Sequence, residues 1–225
     1  VPPFLHIWRA DLTTRHPGWL AAEATLSVPE QSRQARLRTL ALRQTYGRAH
    51  GFLRMVLEQY TFQAARFLAL ATDHQGKPQL PGAGLHFNLS YRPGRALLAL
   101  SDLGPVGADV EALALLPGAS SLVTDLFSAT EQEVLRTAPP GAWWPTFYTI
   151  WTRKEAYAKA LGMGLATPFT EFSVLAPGPE GLPLNTAPAG ASLHSFAVGG
   201  GFQGAAAVLA PGAPAPQHFS YPFNL

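Results

Sequence analysis

Residues 106–111, VGADVE, constrain this chain more than any other stretch. The segment follows a proline-ended turn and reads as a strand, where residues two apart share a face. Asp109 and Glu111 therefore project together, with Ala108 and Val110 on the opposite side. Like charges side by side repel, and burying them costs more unless a cation sits between them. Magnesium suits such a pair, because it is a hard ion that takes oxygen ligands and accepts few carboxylates alongside phosphate oxygens. Residues 87–89 and 96–100 supply two further short strands just upstream.

A helix is expected further on, over residues 147–165. Phe147, Ile150, Trp151, Ala158 and Leu161 recur at helical spacing, and the run stops at Gly162 and Gly164. Glu155 and Lys159 lie four apart on one surface, with Trp151 one turn before them. Alone, that pair reads as a solvated ion pair contributing ~0.2–0.5 kcal/mol. Taken with the DxE strand it becomes a candidate for chemistry.

Composition narrows the class. With 47% apolar and 13% charged residues, the 225-residue chain is a folded protein, long enough for one core or two lobes of roughly a hundred residues each. Sixteen basic against fourteen acidic residues leave +2, too even for a nucleic-acid binder. The chain has no cysteine, which removes disulfides, thiolate chemistry and zinc–sulfur sites. No apolar run is long enough to span a membrane, and the start VPPFLHIWRADL lacks the pattern of a signal peptide, so a cytoplasmic location is expected. The seven histidines form no HExxH or ligand cluster, and no GxxxxGK[ST] occurs.

In chain order, residues 4–10 read as an opening strand and Trp19 as the start of a helix. Ser27-Val-Pro-Glu30 reads as a helix cap with proline in the first turn. One long helical region follows over 30–60, with a break expected around Gly47–Gly51 and a basic side carrying Arg33, Arg36, Arg38, Arg43, Arg48 and Arg54. Residues 67–71 are an expected strand, and 120–126 a helix. Ser128 and Glu131 form a capping box. Residues 139–145 read as a loop, with Trp143 and Trp144 against the next helix, and 171–175, 192–198 and 204–209 as strands. The expected division is an N-terminal lobe 1–104, a C-terminal lobe 105–209 carrying the metal site, and a Pro-rich tail 210–225 docked through Phe219, Tyr221 and Phe223.

Five motifs in order resemble the signature of the 4'-phosphopantetheinyl transferases: GKP at 76–78, FNLS at 87–90, PVGADVE at 105–111, FSATE at 127–131 and WTRKEAYAKALGMGL at 151–165. The closer likeness is to the two-lobed, monomeric, broad-specificity surfactin-type branch. The resemblance implies an α+β fold of two similar lobes related by a pseudo-twofold, with the site in the cleft between them. It implies transfer of the phosphopantetheine arm of coenzyme A to a serine of an apo acyl or peptidyl carrier protein, with release of adenosine 3',5'-bisphosphate. By the same resemblance Asp109, Glu111 and Glu155 carry magnesium, Glu155 is the base, and Lys159 meets the pyrophosphate. Lys154 belongs to the same helix motif, Arg48 to the 3'-phosphate side, Lys77 and Pro78 to the adenine or phosphate end, and Ser90 to a loop under the diphosphate. Where surfactin-type enzymes usually have histidine after the serine, this chain has Tyr91 and then Arg92, which could supply the charge. Trp143, Trp144 and Met163 are the candidate carrier contact. The competing readings are a non-catalytic binder of the same fold and a metal-dependent phosphohydrolase.

Overall fold

The computed structural model describes residues 2–73, 76–178 and 183–221. The chain runs through β1 (Leu5–Asp11), α1 (Gly18–Glu23), α2 (Val28–Ala35), α3 (Leu40–Thr61), β2 (Ala71–Thr72) and β3 (Pro78–Gln79). Then come β4 (His86–Arg92), β5 (Arg95–Ser101), β6 (Val106–Ala112), α4 (Ala119–Leu126), α5 (Ala129–Arg136) and α6 (Trp143–Leu161). The last elements are β7 (Leu175–Ala176), β8 (Leu184–Asn185), β9 (Ser192–Gly199), β10 (Phe202–Val208) and β11 (Gln217–Tyr221).

One β-α-β-β unit occurs twice. It consists of β1, α3, β4 and β5 in the first half and of β6, α6, β9 and β10 in the second. In each, the last strand inserts between the other two, giving the orders β1-β5-β4 and β6-β10-β9. The fold is therefore α+β with duplicated halves. Alternation along the strands decides the layers. Leu5, Ile7, Leu97 and Ala99 meet Val106, Ala108, Val110 and Val208 in an apolar layer between the two sheets. The outer face of the first sheet (Trp8, Leu98, Leu100) packs on Phe52, Leu53 and Val56 of α3. The outer face of the second is small, with Ala205 and Ala207 against Ala156 and Ala160, so α6 lies close to its sheet.

Several expected boundaries move, each for a physical reason. The helical region breaks at residues 36–39, where the Thr39 hydroxyl accepts from Leu42 N–H, and not at Gly47–Gly51. Those glycines stay inside α3; a Cβ on Gly51 would lie 2.6 Å from the carbonyl of Ala22. They cost about 1 kcal/mol each against alanine, which the close crossing of α1 offsets. Arg54 is not on the solvated basic side, being 1% exposed. Its guanidinium donates to Ala65 O (2.9 Å) and Leu68 O (3.2 Å), which holds 65–67 as a 3-10 turn and leaves only Ala71–Thr72 as strand. Residues 169–171 likewise form a 3-10 turn where a strand was expected from 171.

The expected loop 139–145 ends early, because α6 already begins at Trp143. Pro145 falls in its first turn, where a missing N–H leaves no bond unmade. Trp143 stacks on Phe147 at 5.5 Å, with Trp144 edge-on to it. At the other end of the chain, β11 adds a parallel strand beside β1 and stacks Phe219 on Trp8 at 4.7 Å. Phe223 lies outside the described residues. Among the described residues, no helix is long and apolar enough to cross a membrane.

Candidate active site

Because Ala108 and Val110 face the first sheet, Gly107, Asp109 and Glu111 face α6. Gly107 sets the spacing. A Cβ there would stand 2.0 Å from Ala156 O and 2.5 Å from Ala160 N, both backbone atoms that no rotamer change can move. Close approach at Gly107 brings Glu155 and Lys159 of α6 over the two carboxylates of β6. Gly107→Ala is expected to lower stability by ~1–3 kcal/mol through overpacking. Thermal melts on the variant check this.

Asp109 is 1% exposed. Its Oδ1 accepts from Lys159 Nζ (2.6 Å) and from the Ser90 hydroxyl (3.2 Å), while Oδ2 is buried with no hydrogen-bond partner. Burial pushes the Asp109 carboxyl above the usual range; Lys159 opposes this and Glu111 adds to it. Glu111 is gripped by the Arg92 guanidinium on both oxygens, Nε to Oε2 at 2.7 Å, and Trp151 Nε1 donates to it at 3.4 Å. Glu155 has no hydrogen bond among the described residues. Burial raises its carboxyl too, with Asp109 and Glu111 in the same direction and Lys159 and Arg92 against.

The three carboxylates thus share one neighbourhood with two cations among them. Among the described residues no three acidic or histidine side chains are close enough to hold an ion as they stand. Lys159 and Arg92 each occupy a carboxylate in the arrangement seen. The donor set still fits a hard divalent cation: it is all oxygen, it carries excess negative charge, and Asp109 Oδ2 is a buried acceptor with nothing to accept. A cavity of about 360 Å³ opens beside it, lined by Lys77, Asn88, Glu155, Lys159, Gly162 and Phe169. A second, of about 540 Å³, adjoins it at Lys77, Pro78 and Gly162 and extends to His86 and Pro105.

Of the residues singled out in the sequence, Ser90, Arg92, Asp109, Glu111, Glu155 and Lys159 come together. Ser90 is on strand β4 rather than in a loop, and is buried. Tyr91 alternates to the other face, edge-on to His50 at 5.8 Å, so Tyr91 and Arg92 serve different neighbourhoods. Pro78 lines both cavities. Lys77 Nζ donates to Val106 O (2.8 Å) and Lys159 O (2.9 Å), and burial lowers its pKa to about 8. Arg48 stands apart, donating to Leu12 O (2.5 Å) and Thr14 O (3.1 Å) beside Glu23. Lys154 points away from Glu155; it is buried against Glu131 Oε2 (2.8 Å), Phe169 O and Phe172 O.

Two contributors escaped sequence reasoning. Gly107 had a signal, since a glycine inside an apolar strand marks a close backbone approach. Asn88 stands in the FNLS motif, but nothing in the sequence shows that its side chain bonds β6.

The geometry has relatives. A model of the 4'-phosphopantetheinyl transferase superfamily matches residues 105–205. The 4'-phosphopantetheinyl transferase HetI of Nostoc sp. is 32% identical over 189 residues, covering 82% of this chain and 79% of that one. A 4'-phosphopantetheinyl transferase of Bacillus subtilis is 33% identical over 108 residues, 48% of this chain and 47% of its own length. AcpT of Salmonella typhimurium is 40% identical over 89 residues, 39% and 46% respectively. The last two matches span about half of those relatives. The first extends across both halves of the duplicated fold, and the superfamily match contains the DxE strand and the helix that lies over it. The chain is therefore a member of the 4'-phosphopantetheinyl transferase family.

Proposed function

We propose that this protein transfers the 4'-phosphopantetheine arm of coenzyme A to a serine of an apo acyl or peptidyl carrier protein, as a member of the surfactin-type branch. The observation that carries the reading is the Asp109, Glu111 and Glu155 cluster, with the unsatisfied Oδ2 of Asp109, beside a cleft that Lys159 also lines. In the reaction the serine oxygen bonds to the β-phosphorus while the bond from that phosphorus to the bridging oxygen breaks. The electron pair leaves with adenosine 3',5'-bisphosphate. Glu155, whose carboxyl burial pushes up, is the carboxylate we assign to take the serine proton. Asp109, Glu111 and Glu155 would hold magnesium, which supplies charge neutralisation at the pyrophosphate. Lys159, about one-third exposed, supplies a mobile cation on the same side.

Arg92 is the cation that β4 presents to this face, and we assign it to the phosphate side in place of the histidine usual in that branch. Lys77 and Pro78 border the cleft that would take the nucleotide end. For Arg48, Tyr91 and Lys154 the family resemblance is the sole support, since their side chains are engaged elsewhere. Trp143 and Trp144 are half-buried on Phe147, leaving Met163, 40% exposed, as the clearer candidate for a carrier contact.

Incubation with coenzyme A, magnesium and an apo carrier protein, read by intact mass, tests the proposal. A gain of the phosphopantetheine mass supports it. An unmodified carrier with intact coenzyme A would indicate a binding protein, and cleaved coenzyme A with an unmodified carrier a phosphohydrolase. Lys159→Ala should lower kcat by ~10²–10³-fold, the size of losing one preorganised electrostatic contact. A change confined to KM would assign Lys159 to ground-state binding instead.

A further inference from the structure

β6 is an edge strand whose inner side is laddered to β10, with Ala108 opposite Ala206 and Val110 opposite Gly204. Its outer side faces β4, which belongs to the other sheet and forms no ladder with it. The N–H groups of Ala108 and Val110 point across this seam and are met by side chains. Asn88 Oδ1 accepts from Ala108 N–H at 2.8 Å, and Ser90 Oγ accepts from Val110 N–H at 3.3 Å. Asn88 and Ser90 are each 6% exposed, so water does not compete for these donors. Two residues apart on β4, they match the two-residue repeat of the donors. Asp109 lies between the two pinned amides.

Ser90 does more than accept. The same hydroxyl donates to Asp109 Oδ1 at 3.2 Å, and Lys159 Nζ donates to that oxygen at 2.6 Å. Both donors take Oδ1, so the carboxylate is turned with Oδ2 free of partners.

We infer that Asn88 and Ser90 are positioning residues. They replace a missing strand ladder across the seam between the two halves, and so fix the backbone and the carboxylate rotation of Asp109 for a divalent cation. The inference rests on the reading of Asp109 as a metal ligand. It gives the FNLS segment a role distinct from touching phosphate: the seam couples the metal carboxylate of one half to β4 of the other.

The test titrates metal-free protein with Mn²⁺, followed by the EPR signal of the free ion, with and without coenzyme A. Separate calorimetry measures coenzyme A binding in EDTA. Ser90→Ala should weaken Mn²⁺ binding by ~10–100-fold, the usual loss when a group orienting a ligand is removed. Ser90→Thr, which keeps the hydroxyl, should restore most of it, and any loss of coenzyme A binding in EDTA should be smaller than the loss of Mn²⁺ binding. Asn88→Ala should weaken Mn²⁺ binding in the same direction. If Ser90→Ala does not fold, Ser90→Cys, of similar volume and a weak donor, carries the same expectation. Wild-type Mn²⁺ affinity in a folded Ser90→Ala protein overturns the inference. So does a loss confined to coenzyme A binding, which would make Ser90 a phosphate contact. Asp109→Asn is measured alongside. If it loses Mn²⁺ while Ser90→Ala does not, the positioning role alone fails; if it keeps wild-type affinity, the metal reading fails and the positioning role with it.

Discussion

Asp109→Asn is expected to cut transfer by at least ~10²–10³-fold while leaving the metal-free protein as stable as wild type, or more so, at neutral and alkaline pH. The loss of rate follows from removing a buried carboxylate that nothing else at the site can replace, since Glu111 is already gripped by Arg92. The stability expectation follows from the direction of the pKa shifts. Burial holds the Asp109 and Glu155 carboxyls above the range they have in the unfolded chain. Below that range both states are protonated and folding suffers no penalty. As pH rises through the raised pKa, the folded protein must release protons that the unfolded chain has already lost, and stability falls. Asparagine keeps the shape and removes that titration. Melting curves without metal from pH 5 to 8 should therefore show wild type losing ground to the variant as pH increases. A variant that instead loses stability relative to wild type at pH 8 would show that the Lys159 pair outweighs burial. Wild-type turnover in the variant would remove Asp109 from the site.

The parts of the molecule legible in the sequence are those where a period and a burial cost coincide. The two-residue repeat of β6 put both carboxylates on one face, and the helical repeat of α6 put Glu155 and Lys159 on another. The first cap was equally readable, with Glu30 accepting from Ser27 N–H at 2.8 Å, and so was the second at Ser128 and Glu131. What period could not show was the partner of each charge. Arg54 belongs by spacing to the basic side of α3, yet it is buried on Glu30. Lys154 sits beside Glu155 in the chain, yet a helix turns adjacent residues about 100° apart, and it reaches Glu131 instead. Gly47 and Gly51 looked like a break because glycine weakens an isolated helix, but α1 crosses there.

The duplication itself is visible in these charges once their partners are known. In the first half the capping glutamate Glu30 pairs with Arg54, which also donates to Ala65 O and Leu68 O. In the second the capping glutamate Glu131 pairs with Lys154, which also donates to Phe169 O and Phe172 O. Ser-Val-Pro-Glu and Ser-Ala-Thr-Glu are thus the same device in each half: a glutamate that starts one helix and anchors the long helix beside it. Burial works against the charge on Glu30, but the His50 ring at 3.4 Å, the hydrogen bond from Ser27 and the Arg54 charge hold its carboxyl down at about 2.

This equivalence makes Lys154 a structural residue, and Lys154→Met is expected to lower stability by ~3–5 kcal/mol, because it strands Glu131 as an uncompensated buried charge. For a chain of this length that is roughly 6–20 °C in Tm. Both side chains of the pair are fully buried. Glu131 Oε1 also accepts from Val174 N–H at 2.7 Å, so one substitution loosens α5, α6 and the segment before β7 together. Removing both charges should recover much of the loss, since replacing a whole buried pair by uncharged groups is often near neutral. Lys154→Met with Glu131→Gln is therefore expected to be more stable than Lys154→Met alone. Chemical denaturation of the two single variants and the double variant measures this coupling. Kinetics separate the structural role from a cofactor contact: with Lys154 facing Glu131, the folded fraction of Lys154→Met should keep the wild-type KM for coenzyme A. A raised KM at unchanged stability would return Lys154 to the cofactor site.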